Sequence, residues 1–125
     1  MRSNNWPPLR DRRGVSLPDA VKAEFGKGCP CCGRRNLIWR WSAKPGKRTP
    51  NMLATHAHDH AVARGGYPRQ WFFSCSQCNN EQGALDLVTW ARKLVYDDDP
   101  RAPLVERLAT FVRTWVASLE EEEEA

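Results

Sequence analysis

Two Cys-x-x-Cys turns, Cys29-Pro30-Cys31-Cys32 and Cys75-Ser76-Gln77-Cys78, constrain this chain more than any other feature. Two residues between thiols let both sulfurs of a tight turn face one ion, so a pair of such turns can close a tetrahedral site. Cys29, Cys32, Cys75 and Cys78 make a four-thiolate set, the closed donor arrangement of a structural Zn²⁺. A shared ion would pin together two segments separated by 42 residues. Cys31, the fifth cysteine, is expected to be a spare thiol, because adjacent cysteines rarely join a third on one metal within a single turn.

The enclosed loop holds all three histidines of the chain, His56, His58 and His60, with Asp59 between the last two. Neutral imidazole takes a proton near pH 7 and binds metals. Chemistry, if the chain performs any, is expected in this tract.

At 125 residues the prior is one compact domain. A mean hydropathy of −0.66 makes for a thin core, which a metal staple would reinforce. No apolar run approaches the roughly 20 residues that span a bilayer. The opening Met1-Arg2-Ser3-Asn4-Asn5-Trp6-Pro7-Pro8 lacks the apolar stretch of a signal peptide. A cytosolic protein with reduced thiols and no membrane partner is therefore expected. The net charge is +4, but five acids sit in the run Glu120 to Glu124; without them 19 basic residues face ten acids. A basic body suits a polyanion, most simply nucleic acid.

Residues 1–15 read as a basic arm, since Pro7-Pro8 forbids a helix there. Ser16-Leu17-Pro18-Asp19 predicts a short helix with Ser16 as N-cap, ending by Gly26 or Gly28. Leu37 to Ser42, Met52 to His58 and Gln70 to Ser74 read as strands, with a basic Pro/Gly loop from Ala43 to Asn51. Leu87, Trp90, Ala91 and Leu94 recur at helical spacing, and Asp97-Asp98-Asp99-Pro100 ends that helix. A last helix is expected from near Pro103, with Leu104, Leu108, Phe111, Val112, Trp115 and Leu119 as its apolar stripe. These two helices are expected to pack as a hairpin. The resulting division is an arm at 1–15, a metal-binding domain at 16–96, a packed helix at 97–119 and an acidic tail at 120–125.

The order Ala54-Thr55…His58…Gly65-Gly66…Cys75-x-x-Cys78-Asn79…Gly83 resembles the HNH endonuclease family over about residues 29–92. The family pattern is a CxxC, then Ala-Thr-x-Asp-His with a following Gly-Gly, then a strand into Cys-x-x-Cys-Asn-x-x-Lys-Gly. The resemblance implies a small zinc-stapled α+β domain of treble-clef, ββα-metal type, here with a C-terminal helical extension. It implies hydrolysis of DNA phosphodiester bonds, with a strand histidine as general base and Mg²⁺ or Mn²⁺ as the catalytic ion. Carried onto this chain, His58 is the base and Asn79 a metal ligand, with Asp59 or His56 completing the ion's shell.

Four positions depart from the family pattern. Ala57 stands where the acidic ligand belongs, Ala61 replaces a proline, Gln70 an asparagine and Gln82 a lysine. Asp59-His60 spells the missing Asp-His pair two residues later. A second register therefore makes His60 the base and Asp59 the ligand. Arg64 and the loop residues Lys44, Lys47 and Arg48 are the expected phosphate contacts, which position DNA without reading its sequence. The resemblance further implies an origin in a phage or mobile element and a protein partner in a packaging or DNA-processing complex.

Two non-catalytic readings stand beside this one. A degenerate HNH site would bind nucleic acid without cutting it. The chain is also similar to the zinc-ribbon domain of phage-type primases, through Cys-Pro-x-Cys-Gly, the aromatic strand Trp71-Phe72-Phe73 into Cys75 and Cys78, and Gly83-Ala84-Leu85-Asp86-Leu87-Val88. In that reading Trp39, Trp41, Trp71 and Phe73 stack on single-stranded template, and the histidine loop is idle.

Overall fold

The structure, a computed structural model, describes residues 7–35, 37 and 54–124. Of the strand expected at Leu37 to Ser42 only Leu37 is described, packed against the core; the rest of it, with Trp39 and Trp41, and the basic loop with Lys44, Lys47 and Arg48 lie outside the described residues. The described elements run α1 (Leu17–Phe25), β1 (Ala54–His58), a 3-10 turn (Val62–Arg64), β2 (Trp71–Cys75), α2 (Ser76–Gln82), α3 (Leu87–Tyr96) and α4 (Ala102–Glu124). This is a small α+β arrangement of four helices on a two-stranded sheet.

Helix α1 begins as its sequence predicts. Asp19 N–H donates to Ser16 Oγ at 3.2 Å, and Pro18 sits in the first turn, where its missing N–H costs nothing. The described part of the arm lies on the domain. Leu9 N–H donates to Arg69 O, and the Arg69 guanidinium donates to the Pro7 and Pro8 carbonyls.

Strands β1 and β2 pair antiparallel, with Ala54 opposite Cys75, His56 opposite Phe73 and His58 opposite Trp71. Side chains alternate across a strand. One face carries His56, His58, Trp71 and Phe73, and the other carries Ala57 and Phe72. A lone two-stranded hairpin is marginal in water, so it must be held from outside. Ala57 and Phe72 join Leu87, Trp90, Leu94, Val105, Leu108 and Val112 in one core. Lys22 of α1 covers the Phe73 ring on the opposite face.

Helices α3 and α4 form the expected hairpin. Asp86 caps α3 by accepting from Thr89 N–H at 2.7 Å. Trp90 lies in the core, whereas Trp115 is only half-buried against it. Phe25 of α1 meets Phe111 of α4 edge to face at 5.6 Å, and Arg107 lies over the Phe25 ring. Helix α4 continues through the glutamate run to Glu124. Among the described residues no helix is long and apolar enough to cross a membrane.

Candidate metal centre and the cleft at the hairpin end

The first thiol pair sits on a knuckle. Cys29 N–H donates to Arg34 O and Gly33 N–H donates to Cys29 O, both at 2.8 Å. Gly28 is required beside it, because a Cβ there would stand 2.1 Å from Arg34 O. The second pair sits where β2 becomes α2. Cys75 is the N-cap of α2, and Cys78 N–H donates to Cys75 Sγ at 3.4 Å. The hairpin thus delivers one pair of sulfurs to the other.

The ligand atoms of Cys29, Cys32, Cys75 and Cys78 all lie within 4.8 Å of one another. Zn–S bonds of about 2.3 Å place the sulfurs of a tetrahedral site roughly 3.8 Å apart, and Cys32 Sγ is 3.9 Å from Cys75 Sγ. Three of the four are buried and Cys32 is half-buried. As bare thiols they share too little charge. Hydrogen bonds from Cys31, Cys75 and Cys78 pull the Cys29 thiol far below its usual range. The same bonds to Cys29 push Cys75 and Cys78 upward. A divalent cation lets all four ionise together, so the donor set fits a metal ion. Cys31 is buried and outside the four-sulfur group. Its hydrogen bond to Cys29 is the foremost cause holding its pKa well above the ordinary thiol value.

The histidines occupy different surroundings. His56 stacks on Trp71, with ring centroids 3.8 Å apart and planes at 9°. Its Nδ1 is buried without a hydrogen-bond partner. Burial, and then the neighbouring His58, lower its pKa. His58 places Nε2 2.9 Å from Pro68 O, and the donor there is the ring N–H. Burial also lowers the His58 pKa, against that hydrogen bond. His60 alone of the three presents most of its side chain to solvent.

Asp59 is buried at the end of β1, and its carboxylate is already committed. Leu87 N–H at the start of α3 donates to Oδ1 at 2.8 Å. Arg113 of α4 donates from Nε to Oδ2 at 2.8 Å and from Nη2 to Oδ1 at 3.4 Å. Gln82, at the end of α2, closes the same corner. Its side-chain amide donates to the carbonyls of His58, Asp59 and Leu85 at 2.9 to 3.2 Å. Gln82 is therefore a buried clip between α2 and β1. Asn79 lies mid-helix in α2, half-buried. Arg64 is exposed in the 3-10 turn.

A cleft of about 410 Å³ opens beside this corner. Asp59, His60 and Gln70 line one side, and Arg113 and Glu120 of α4 line the other. Gly66 shapes the adjoining turn, where a Cβ would fall 1.9 Å from His60 O. A separate groove of about 400 Å³ lies between α3 and α4, along Val88, Ala91, Val95 and Ala109.

Among the described residues the four cysteines are the only group of three or more His, Cys, Asp or Glu side chains placed to share an ion. No such group forms around His56, His58, Asp59 and His60. Both Asp59 oxygens already accept from protein donors, so the described residues lend no support to a catalytic Mg²⁺ or Mn²⁺ in this corner.

Arg113, Gln82 and Arg101, whose Nη1 donates to Cys78 Sγ at 3.6 Å, are residues at these two places that sequence reasoning missed. Arg113 and Arg101 contact residues remote in the chain, so local pattern could not find them. Gln82 was visible only as a departure from a motif. No family model, curated protein or solved structure matches this chain.

Proposed function

We propose that this chain is a zinc-stapled nucleic-acid-binding module on an HNH-like ββα frame, and that it holds DNA without cutting it. One observation carries the reading. The only acidic side chain in the histidine tract is buried, and both its oxygens already accept from protein donors, Leu87 N–H and Arg113. The order hairpin, then helix, with four cysteines joining them, supports the HNH-like frame over a primase-type ribbon. In this frame the Ala54–His58 block has a place, as the partner strand of β2.

The DNA partner rests on charge. Outside the glutamate run, 19 basic residues face ten acids. Arg34 and Arg35 are exposed beside the cysteine knuckle, and Arg64 is exposed near the hairpin end. Such residues contact phosphates, and the binding they give weakens steeply with salt.

An endonuclease with His60 as base is the second reading, and the cleft favours it. There His60 stands beside Asp59, which the second register makes the ligand, and Gln70, which replaces an asparagine of the family pattern.

Supercoiled plasmid incubated with zinc-loaded protein in Mg²⁺, Mn²⁺ or EDTA separates the two. A salt-dependent gel shift with no nicking in any metal supports the binding module. Metal-dependent nicking that disappears in His60→Ala and persists in His58→Ala overturns it and establishes the nuclease.

A further inference from the structure

Arg101 lies in the turn between α3 and α4, outside every motif that the sequence displays. Its guanidinium is held on all sides. Nε and Nη2 donate to the two carboxylate oxygens of Asp99 at 3.0 and 2.8 Å. Nη2 also donates to Glu81 Oε1 at 2.6 Å, and the group lies 5.5 Å from the centre of the Trp90 ring. The remaining arm, Nη1, donates to Cys78 Sγ at 3.6 Å. The side chain is only 18% exposed.

That last contact matters because of what sulfur is. A neutral thiol is a weak acceptor, whereas a metal-bound thiolate is a negatively charged one, and charge-assisted hydrogen bonds are roughly twice as strong. Four thiolates around a divalent ion carry a net charge of −2 in a largely buried place. An N–H aimed at one sulfur stabilises that ionised state. Asp99 and Glu81 hold the fork in register, and the Asp99 carboxyl is itself drawn down to about 2 by Arg101. Groups of this kind around metal ligands set affinity as well as geometry, and their loss typically weakens binding about 10- to 100-fold.

We propose that Arg101 is a positioning residue of the metal centre, holding the metal-bound Cys78 thiolate and coupling the centre to the turn between α3 and α4. This rests on the four-cysteine site alone and is independent of whether the chain binds or cuts DNA.

The test uses the full chain and Zn²⁺, with affinity measured by chelator competition. The Co²⁺-substituted protein reports the thiolate-to-metal charge-transfer band. Arg107→Gln serves as the control, because it removes a guanidinium of α4 and its ion pair with Glu24 without touching the cysteines. Arg101→Gln is expected to weaken Zn²⁺ binding at least tenfold and to shift the Co²⁺ band, with the control staying within about threefold of wild type. An unchanged affinity and band in Arg101→Gln overturns the proposal. So does an equal loss in the control, which would mark a purely structural role. If Arg101→Gln does not fold, Arg101→Lys decides on the same two readouts. Affinity and band both equal to wild type would show that the directed N–H is dispensable, and a loss in both would uphold it.

Discussion

Replacing Asp59 by alanine distinguishes a structural lock from a catalytic ligand, because the two roles predict opposite changes in stability. Its side chain is 7% exposed. Leu87, whose N–H it accepts, is fully buried. Removing the carboxylate strands that amide, at a cost of about 1–3 kcal/mol. It also removes a negative charge from the N-terminus of α3, worth about 0.3–1 kcal/mol. The ion pair adds less, because Arg113 is 41% exposed and rehydrates when its partner goes; about 0.5–1 kcal/mol is appropriate there. Asp59→Ala should therefore cost about 2–5 kcal/mol in all. Arg113→Ala leaves the carboxylate with Leu87 N–H and opens it to the cleft, so about 1 kcal/mol is expected. The double variant should fall short of the sum, since both single changes remove the same pair. Urea unfolding at saturating Zn²⁺ reads these differences as midpoint shifts at constant slope. A metal-ligating carboxylate behaves in the reverse way, because functional groups held for a ligand cost stability and their removal is neutral or favourable. An Asp59→Ala protein within about 0.5 kcal/mol of wild type would refute the lock.

Two further outcomes follow from the metal centre and the buried histidines. The purified chain should carry one Zn²⁺ by elemental analysis; Cys75→Ser should lose both the metal and the cooperative melt, whereas Cys31→Ser should keep one Zn²⁺. Burial holds His56 and His58 below the ordinary imidazole value, so the unfolded chain binds the extra protons and stability falls as pH drops below about 6.5. Unfolding measured from pH 7 to pH 5.5 should show a shallower fall in His56→Phe than in wild type; identical slopes would assign the acid sensitivity to metal release alone.

The parts legible in the sequence were those governed by neighbours in the chain. Ser16 and Pro18 mark the start of α1 through capping, a local effect. The two cysteine turns announce themselves by spacing, and the stripes of α3 and α4 by period. Helix α2 has neither signal. Ser-Gln-Cys-Asn-Asn-Glu-Gln carries no apolar stripe, and the helix exists because Cys75 caps it and Cys78 and Gln82 turn inward. The pairing of Asp59 with Arg113 spans 54 residues. In α4 alone Arg113 is simply a polar residue beside an apolar stripe, and nothing local marks it as a partner for the hairpin. The histidine tract shows the limit of local reading most clearly. Its residue types suit catalysis, but their availability depends on contacts that only tertiary structure supplies.

That dependence bears on the function itself. A catalytic polar group works by holding bonding capacity in reserve for substrate or metal, and a buried group cannot hold it cheaply. At the end of β1 the chain spends that capacity on itself. Asp59 is taken by Leu87 and Arg113, the His58 and Asp59 carbonyls by Gln82, and His58 Nε2 by Pro68 O. The bonds from Gln82, Leu87 and Arg113 tie the hairpin to α2, α3 and α4, and the bond to Pro68 closes the hairpin's own loop, so together they fix the corner where α2, α3 and α4 meet β1. A corner built this way gives the domain rigidity that its thin core does not. It also concentrates any surviving reactivity in His60, which lies at the open edge of the cleft with its imidazole largely in solvent. His60→Ala is therefore the variant on which the second-register nuclease reading turns, as His58→Ala is for the first.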